Sequence, residues 1–467
     1  MSKLLTIFAI WIGVPLVLLL LPCPSGLDPK AWALLAFYVA AILGLILQPL
    51  GEAAVLIIPL AVYSVCFKGT SIALSGYSSS TAWLVLAGCL VGRAFTETGL
   101  GIRIACVLID KFGRTTLGLG YVAAFTDFVI SPATPSNTAR SGGIVYPIFR
   151  SISVTLGSEP GATAKKVGSY LSLLCNGVSL TTAGAFLTAS APNLLLFSLA
   201  VSVVGAEISW GEYALAVLPS LFTLLLLLPL LYYVLCKPEL KKIDNKAIAR
   251  DGLQKLGPMS AQEKKLALLF LSALALWSSS HWTKIDAGAV ALLFIAGILF
   301  FRVISWDSML QEKSAWSTFI WYGAMIGLSS GLSKLGFFKW LGTVVMPYFS
   351  FAGMNPAMVM ILLIAGSFPL RYIFAGVGPY VGAMVPVFLT LAKAGGVPPI
   401  LAAVSLCATV SLGALFTHFG HGVSVVIYGG GYVSQTTWWK TGFIMAIVAN
   451  AVVLGIGFPW WAMLGLW

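Results

Sequence analysis

Apolar stretches close to 20 residues long recur from one end of the sequence to the other, separated by short polar, glycine-bearing or proline-bearing breaks. A helix rises about 1.5 Å per residue, so such a stretch matches the roughly 30 Å of bilayer hydrocarbon. The pattern predicts an all-α polytopic membrane protein with spans at about 4–21, 31–48, 53–67, 81–109, 168–204, 213–236, 266–280, 287–304, 316–346, 397–427 and 441–465. Two of these eleven, 168–204 and 397–427, are interrupted. The first, Leu4 to Leu21 behind Lys3, is too long for a signal-peptide core and no small-residue cleavage site follows, so it reads as a retained span.

Two segments do not fit as spans. Residues 117–152 and 356–392 each contain two apolar stretches of about 14 to 18 residues, broken by a small, polar or proline-containing tip. Fourteen helical residues reach only about 21 Å, short of the hydrocarbon thickness. Each is expected to be a re-entrant helical hairpin whose tip ends near mid-membrane. Non-helical backbone at that depth is tolerable only where it lines protein or a water-filled cavity, which makes both tips functional candidates.

The two halves of the chain resemble each other. AFTETGLG (94–101) parallels GLSKLGFF (331–338), and GGIVYP (142–147) parallels VGAMVP (381–386). GAFLT (184–188) parallels GALFT (413–417), and Trp210 falls in step with Trp439. The offset stays between 229 and 239 residues. Corresponding elements are separated by an odd number of spans, so the two units are expected to lie inverted in the membrane. Residues 1–236 then hold the first span and the first repeat, 237–265 a basic linker, and 266–467 the second repeat. Inverted repeats with interrupted helices are the architecture of secondary transporters, with the site at mid-membrane between the repeats.

Charge fixes the orientation and hints at the cargo. Of 467 residues only 9% are charged, with 27 Lys and Arg against 15 Asp and Glu. The excess concentrates in Lys237 to Lys265, which has eight basic residues against four acids and reads as cytoplasmic. Six spans precede it, placing the N-terminus inside, and five follow, placing the C-terminus outside. In a soluble protein this balance would point to nucleic acid; here topology accounts for most of it and no nucleic-acid partner is expected. After Glu312 the remaining 155 residues contain no Asp or Glu, yet hold six Lys or Arg together with His418 and His421. A cation or proton route needs intramembrane carboxylates, so the bias favours an anionic substrate. The seven cysteines show no CxxC spacing and indicate neither a metal site nor a disulfide framework.

The first tip reads SPATPSNTARSGG (131–143). Pro132 and Pro135 deny helix to the backbone before them. Ser136, Asn137 and Thr138 follow where the second arm begins, either as an ordinary helix cap or as ligands for a carboxylate or a small cation. The arm's free N–H groups and positive dipole end favour an anion there. Arg140 suits a carboxylate bidentately; it is either a substrate clamp or half of a structural pair with Asp127. In FLTASAPNLLL (186–196) Pro192 breaks the helix, and Thr188, Ser190 and Asn193 are candidate ligands beside a plain proline kink. Its partner FTHFGHGVSVVIYGGGY (416–432) brings Thr417, His418 and His421, as donors to an anion or as packing residues. The second tip, RYIFAGVGPYVGAMVP (371–386), offers close backbone approach at Gly376 and Gly378 but no Ser or Asn. Arg371 is either an anchor at the outer water boundary, the reading expected here, or an electrostatic lure.

The runs PATPSNTARSGGIVYPI, TASAPN and THFGHG…YGGGYV…WWKTGF resemble the divalent anion/sodium symporter superfamily, in particular its 2-oxoglutarate/malate translocator and citrate/succinate antiporter branch. The resemblance covers essentially the whole chain. It implies eleven spans, two re-entrant hairpins, a homodimer held by scaffold domains, and an elevator-like movement of the hairpins. In sodium-coupled members each tip carries an S-N-T triplet serving substrate and sodium. Ser136, Asn137 and Thr138 match the first, and the break from Thr188 to Ala191 matches the backbone completing the first sodium site. The second triplet is not matched: Gly376 and Gly378 stand where the exchanger branch has Ser-x-Thr.

The chain is therefore expected to be a secondary active transporter exchanging di- and tricarboxylates such as 2-oxoglutarate, malate and succinate, not an enzyme. Sodium-coupled dicarboxylate symport is the alternative, followed by an inorganic oxyanion carrier of sulfate type. No HExxH and no paired intramembrane carboxylates occur, and GLSSG (327–331) lacks the strand–turn–helix context of a nucleophile elbow. No cofactor is expected beyond sodium. A bacterial inner membrane is the expected location, with a plastid inner envelope as the alternative.

Overall fold

The computed structural model describes residues 3–348, 351 and 353–467, and the described residues form helices without a strand. Among the described residues, seven helical segments are long and apolar enough to cross a membrane: Pro29–Leu47, Thr116–Ala133, Trp210–Cys236, Pro356–Ile373, Val377–Ala394, Pro399–Phe416 and Gln435–Met463. Shorter apolar helices such as Thr6–Leu20, Glu52–Phe67, Ala191–Val204 and Ala287–Phe300 pack among them.

Several expected spans are broken by glycine. The apolar run 81–109 is two helices, Ser80–Thr98 and Leu100–Phe112, bent by 63°. Gly99 sits between them at φ 76°, a left-handed backbone conformation that only glycine adopts without strain. The run 316–346 is likewise divided, into Lys313–Lys334 and Phe337–Val345, with Gly336 at φ 77° between. The basic linker is not all loop. It carries the helix Asn245–Leu256, started by Asp244, whose carboxylate accepts from the Ala247 N–H at 3.1 Å. That helix packs on Leu100–Phe112. Arg103 ties the same helix to the base of Ala261–Ser278 through paired bonds to Glu263 of 2.6 and 3.1 Å.

Two packing groups stand out. Ser80–Thr98 packs on Ala287–Phe300 and on Lys313–Lys334, which also packs on Glu52–Phe67. Gly168–Ala185 packs on Trp210–Cys236, which packs in turn on Gln435–Met463. The segment 116–155 folds as a helical hairpin: Thr116–Ile130, a short turn Ser131–Ala133, then π-type turns Thr138–Val145 running into Tyr146–Thr155. The segment 356–394 does the same with Pro356–Leu370, the turn Arg371–Ile373 and Val377–Ala394.

Helix Ser80–Thr98 receives the first tip through two missing side chains. A Cβ on Gly88 would stand 2.2 Å from the Pro135 ring, and one on Gly92 2.5 Å from the Thr134 methyl. The two glycines are four residues apart and so share one helix face. The tip is seated in that groove.

Candidate functional site

Pro192 and its neighbours interrupt 168–204 as follows: Gly168–Ala185, an extended Phe186, the turn Leu187–Ala189, an extended Ser190, and Ala191–Val204. The first hairpin tip is stitched to this break. The Ala191 N–H donates to the Pro135 carbonyl at 2.8 Å, and the Thr188 hydroxyl donates to the Pro132 carbonyl at 2.6 Å. Thr188 also accepts from the Trp210 indole at 3.0 Å, so its hydroxyl is committed to the scaffold of the break.

Arg140 is wholly buried, and four of its five N–H donors have acceptors. It bonds Asp127 at 3.0 Å, the Thr134 carbonyl at 2.7 Å, the Ala189 carbonyl at 2.9 Å and the Thr182 hydroxyl at 3.1 Å. Asp127 in turn accepts from Thr182 at 2.5 Å and from Ser141. Of the two readings of Arg140, the geometry supports the pair with Asp127. A guanidinium in that network has no fork left for a substrate carboxylate. It pins both arms of the hairpin and the helix break to one another.

The tip residues reach a cavity of about 400 Å³, within the range of small-molecule sites. Ser136, Asn137 and Thr138 line it from the first tip, Gly376 and Gly378 from the second, and His421 from the second helix break. Ser136 also does the ordinary capping job, its hydroxyl accepting from the Ala139 N–H at 3.2 Å. Asn137 is held by its amide nitrogen, which donates to the carbonyl and hydroxyl of Ser179 at 2.7 and 3.1 Å. A Cβ on Gly422 would lie 2.8 Å from the Thr138 hydroxyl, so the second break closes directly on the first tip. The second tip approaches by backbone: a Cβ on Gly378 would stand 3.0 Å from the Trp321 ring.

Asn193, Thr417, His418 and Arg371 lie off the cavity. Asn193 is buried and donates to the Ala183 carbonyl at 2.7 Å. Thr417 is buried at the second break. His418 accepts from the Trp439 indole at 3.0 Å and lies against Tyr428, with ring centroids 4.4 Å apart. His421 caps helix Gly422–Tyr428 through a 3.2 Å bond from the Val423 N–H while facing the cavity. Arg371 is not at a water boundary. It is 5% exposed, because the arm that carries it ends against Gly413 of the second break.

Trp321, Gln48 and Glu52 also line the cavity and were not singled out from sequence. They come from helices outside both hairpins, and a lone Trp or a helix-starting Glu carries no local signal of a site. For a sodium ion, the Thr188 hydroxyl is spent. The buried hydroxyl of Ser190, next to Ala191, has no partner, and Ser136 and Ala191 share the cavity wall. Oxygen donors for one hard cation are therefore present beside the first tip.

Paired broken helices and two hairpins whose tips meet at one cavity define a membrane transporter fold. The solved YdaH transporter of Alcanivorax borkumensis shares that fold, with a TM-score of 0.59 at 13% identity over 86% of this chain and 88% of that one. Residues 2–467 match the model of the sodium:sulfate symporter transmembrane region, and the chain belongs to that family. It is 43% identical to the inner membrane protein YbhI of Escherichia coli (98% of this chain, 97% of the relative). It is 40% identical to the putative malate transporter YflS of Bacillus subtilis (98% and 96%). Identity to the L-tartrate/succinate antiporter of Escherichia coli is 35%, over 96% of both.

Proposed function

We propose that the protein exchanges di- and tricarboxylates of the malate, succinate and 2-oxoglutarate type across a bacterial inner membrane. It does so with eleven spans, an N-terminus inside and a C-terminus outside. The two hairpins are re-entrant, belong to inverted repeats, and move as an elevator against the Ser80–Thr98, Ala287–Phe300 and Lys313–Lys334 group of a homodimer. The carrying observation is the 400 Å³ cavity in which Ser136, Asn137 and Thr138 face Gly376 and Gly378, with no carboxylate on either tip and Glu52 the one acidic residue on its wall. Its size suits a four- to six-carbon diacid. The relatives named for malate and for tartrate and succinate support the same class.

Exchange follows from what the second tip lacks. Symport of a dianion needs co-ions to offset its charge, and Gly376 and Gly378 provide no side chain to hold one. Swapping one dianion for another moves no net charge and needs none. An empty carrier would have to cross with the helix-end N–H groups of the tips unpaired, which is costly away from water. Arg140 contributes nothing to this balance, since Asp127 offsets it.

Sodium symport is the second reading, favoured by the family description and by the unpaired Ser190 hydroxyl beside the first tip. Proteoliposomes loaded with malate, or left empty, separate the two. Labelled 2-oxoglutarate is expected to enter the loaded vesicles with or without a sodium gradient and to stay out of empty ones. Unlabelled dicarboxylates should compete and sulfate should not. Strong sodium-driven uptake into empty vesicles would overturn exchange, and competition by sulfate alone would overturn the carboxylate class.

A further inference from the structure

The second hairpin holds a charge that the rest of the chain leaves unbalanced. Arg371 ends its first arm, is buried, and none of its three guanidinium nitrogens has a hydrogen-bond partner. Its guanidinium carbon stands 4.3 Å from the centre of the Tyr380 ring, a contact that recognises the cation without neutralising it. No Asp or Glu follows Glu312, and none among the described residues pairs with Arg371.

The comparison with Arg140 sharpens the anomaly. Each arginine lies between a hairpin and the helix break of its own half, Arg140 against the Ala189 carbonyl and Arg371 against Gly413. A Cβ on Gly413 would come within 3.2 Å of the Arg371 chain, so the break has been left open for it. Arg140 meets a carboxylate, two carbonyls and a hydroxyl. Arg371 instead lines a small cavity of about 20 Å³ together with Ser367, Tyr380, Thr409 and Asn450. The Ser367 and Thr409 hydroxyls donate to Ile364 and Ser405 carbonyls at 2.7 and 2.8 Å, and the Asn450 amide donates to the Ala446 carbonyl at 2.7 Å while its Oδ1 has no partner, which leaves Arg371 as the only charged donor on the wall. A cavity needs about 10–15 Å³ to admit one water, so this one takes a single small particle and excludes a dicarboxylate. Water would satisfy the donors and leave the charge uncompensated at membrane depth, where that is unfavourable.

We propose that Arg371 holds a chloride-sized monovalent anion in this cavity, at a site separate from the carboxylate cavity. The anion does for the second hairpin what Asp127 does for the first. It stays with the hairpin whether the carrier is loaded or empty, so it leaves the difference between those states, and the case for exchange, unchanged.

The test uses the full-length protein in two arms. In the first, crystals are grown with bromide in place of chloride and anomalous scattering is mapped; a peak is expected in the Arg371 cavity. In the second, thermal unfolding in detergent is followed while chloride is replaced by gluconate. The wild type is expected to lose several degrees and regain them with bromide, whereas Arg371→Met should be indifferent to halide. Arg371→Lys keeps the charge and should retain the halide response even if Arg371→Met folds poorly. Neither arm reads carboxylate transport, so failure here is distinct from failure of the exchange reading. No anomalous peak together with halide-independent unfolding of the wild type would overturn the proposal, as would substrate density reaching Arg371.

Discussion

Asp127→Ala is expected to cost about 3–5 kcal/mol of stability, because it leaves Arg140 buried without its counter-charge. Arg140→Ala should cost a similar amount by stranding Asp127. Both side chains are shielded from solvent, and the 3.0 Å bond between them is backed by Thr182, Ser141 and two carbonyls. The double variant Asp127→Leu/Arg140→Met removes both charges at once and is expected to recover most of the loss, since isolated buried charge is the larger penalty. Thermal unfolding of the two singles and the double in detergent supplies the stability cycle. Malate binding to the double separates a pin from a clamp. If Arg140 only pins the hairpin to the helix break, the double should bind malate; a folded double that does not bind would return Arg140 to the substrate.

Asn137→Ala is expected to lower exchange by roughly 10- to 100-fold, the equivalent of about 1–3 kcal/mol for a lost buried hydrogen-bonding group. The side chain does two things. Its nitrogen bonds Ser179 at 2.7 and 3.1 Å, fixing the tip to helix Gly168–Ala185, and the residue lines the cavity between the two hairpins. Asn137→Asp keeps the size but sets a carboxylate facing a carboxylated substrate, and should be worse than alanine if the cargo is an anion. Initial rates of malate-driven 2-oxoglutarate uptake, normalised to protein inserted, check both. Equal activity of the alanine and aspartate variants would argue against an anion at this tip.

Much of this site was legible in the sequence because prolines clustered with small polar residues mark broken helix, whereas lone prolines such as Pro59 and Pro219 stay inside continuous helices. Pro132, Pro135 and Pro192 located the first tip and its facing break, and the spacing of the S-N-T run put three side chains at the start of an arm. The depth of a side chain was not legible. Arg371 stands at the end of an apolar arm, as an interfacial anchor would, and its burial depends on Gly413, which is 42 positions away and offers no side chain. The two histidines are three residues apart in an irregular stretch, where neither a period of 2 nor one of 3.6 says which way each points. His421 faces the cavity and His418 lies against Trp439 and Tyr428. Likewise Gly99 looked like one more small residue in an apolar run; its left-handed backbone turns one expected span into two helices.

In the proposed carrier a dicarboxylate sits between the two hairpin tips. A structure of the protein with malate bound tests it most directly. Density is expected to bridge Ser136, Asn137 and Thr138 on one side and Gly376 to Gly378 on the other, with the Asp127–Arg140 pair intact beneath it. Malate bound elsewhere, or bound through an Arg140 released from Asp127, would contradict it.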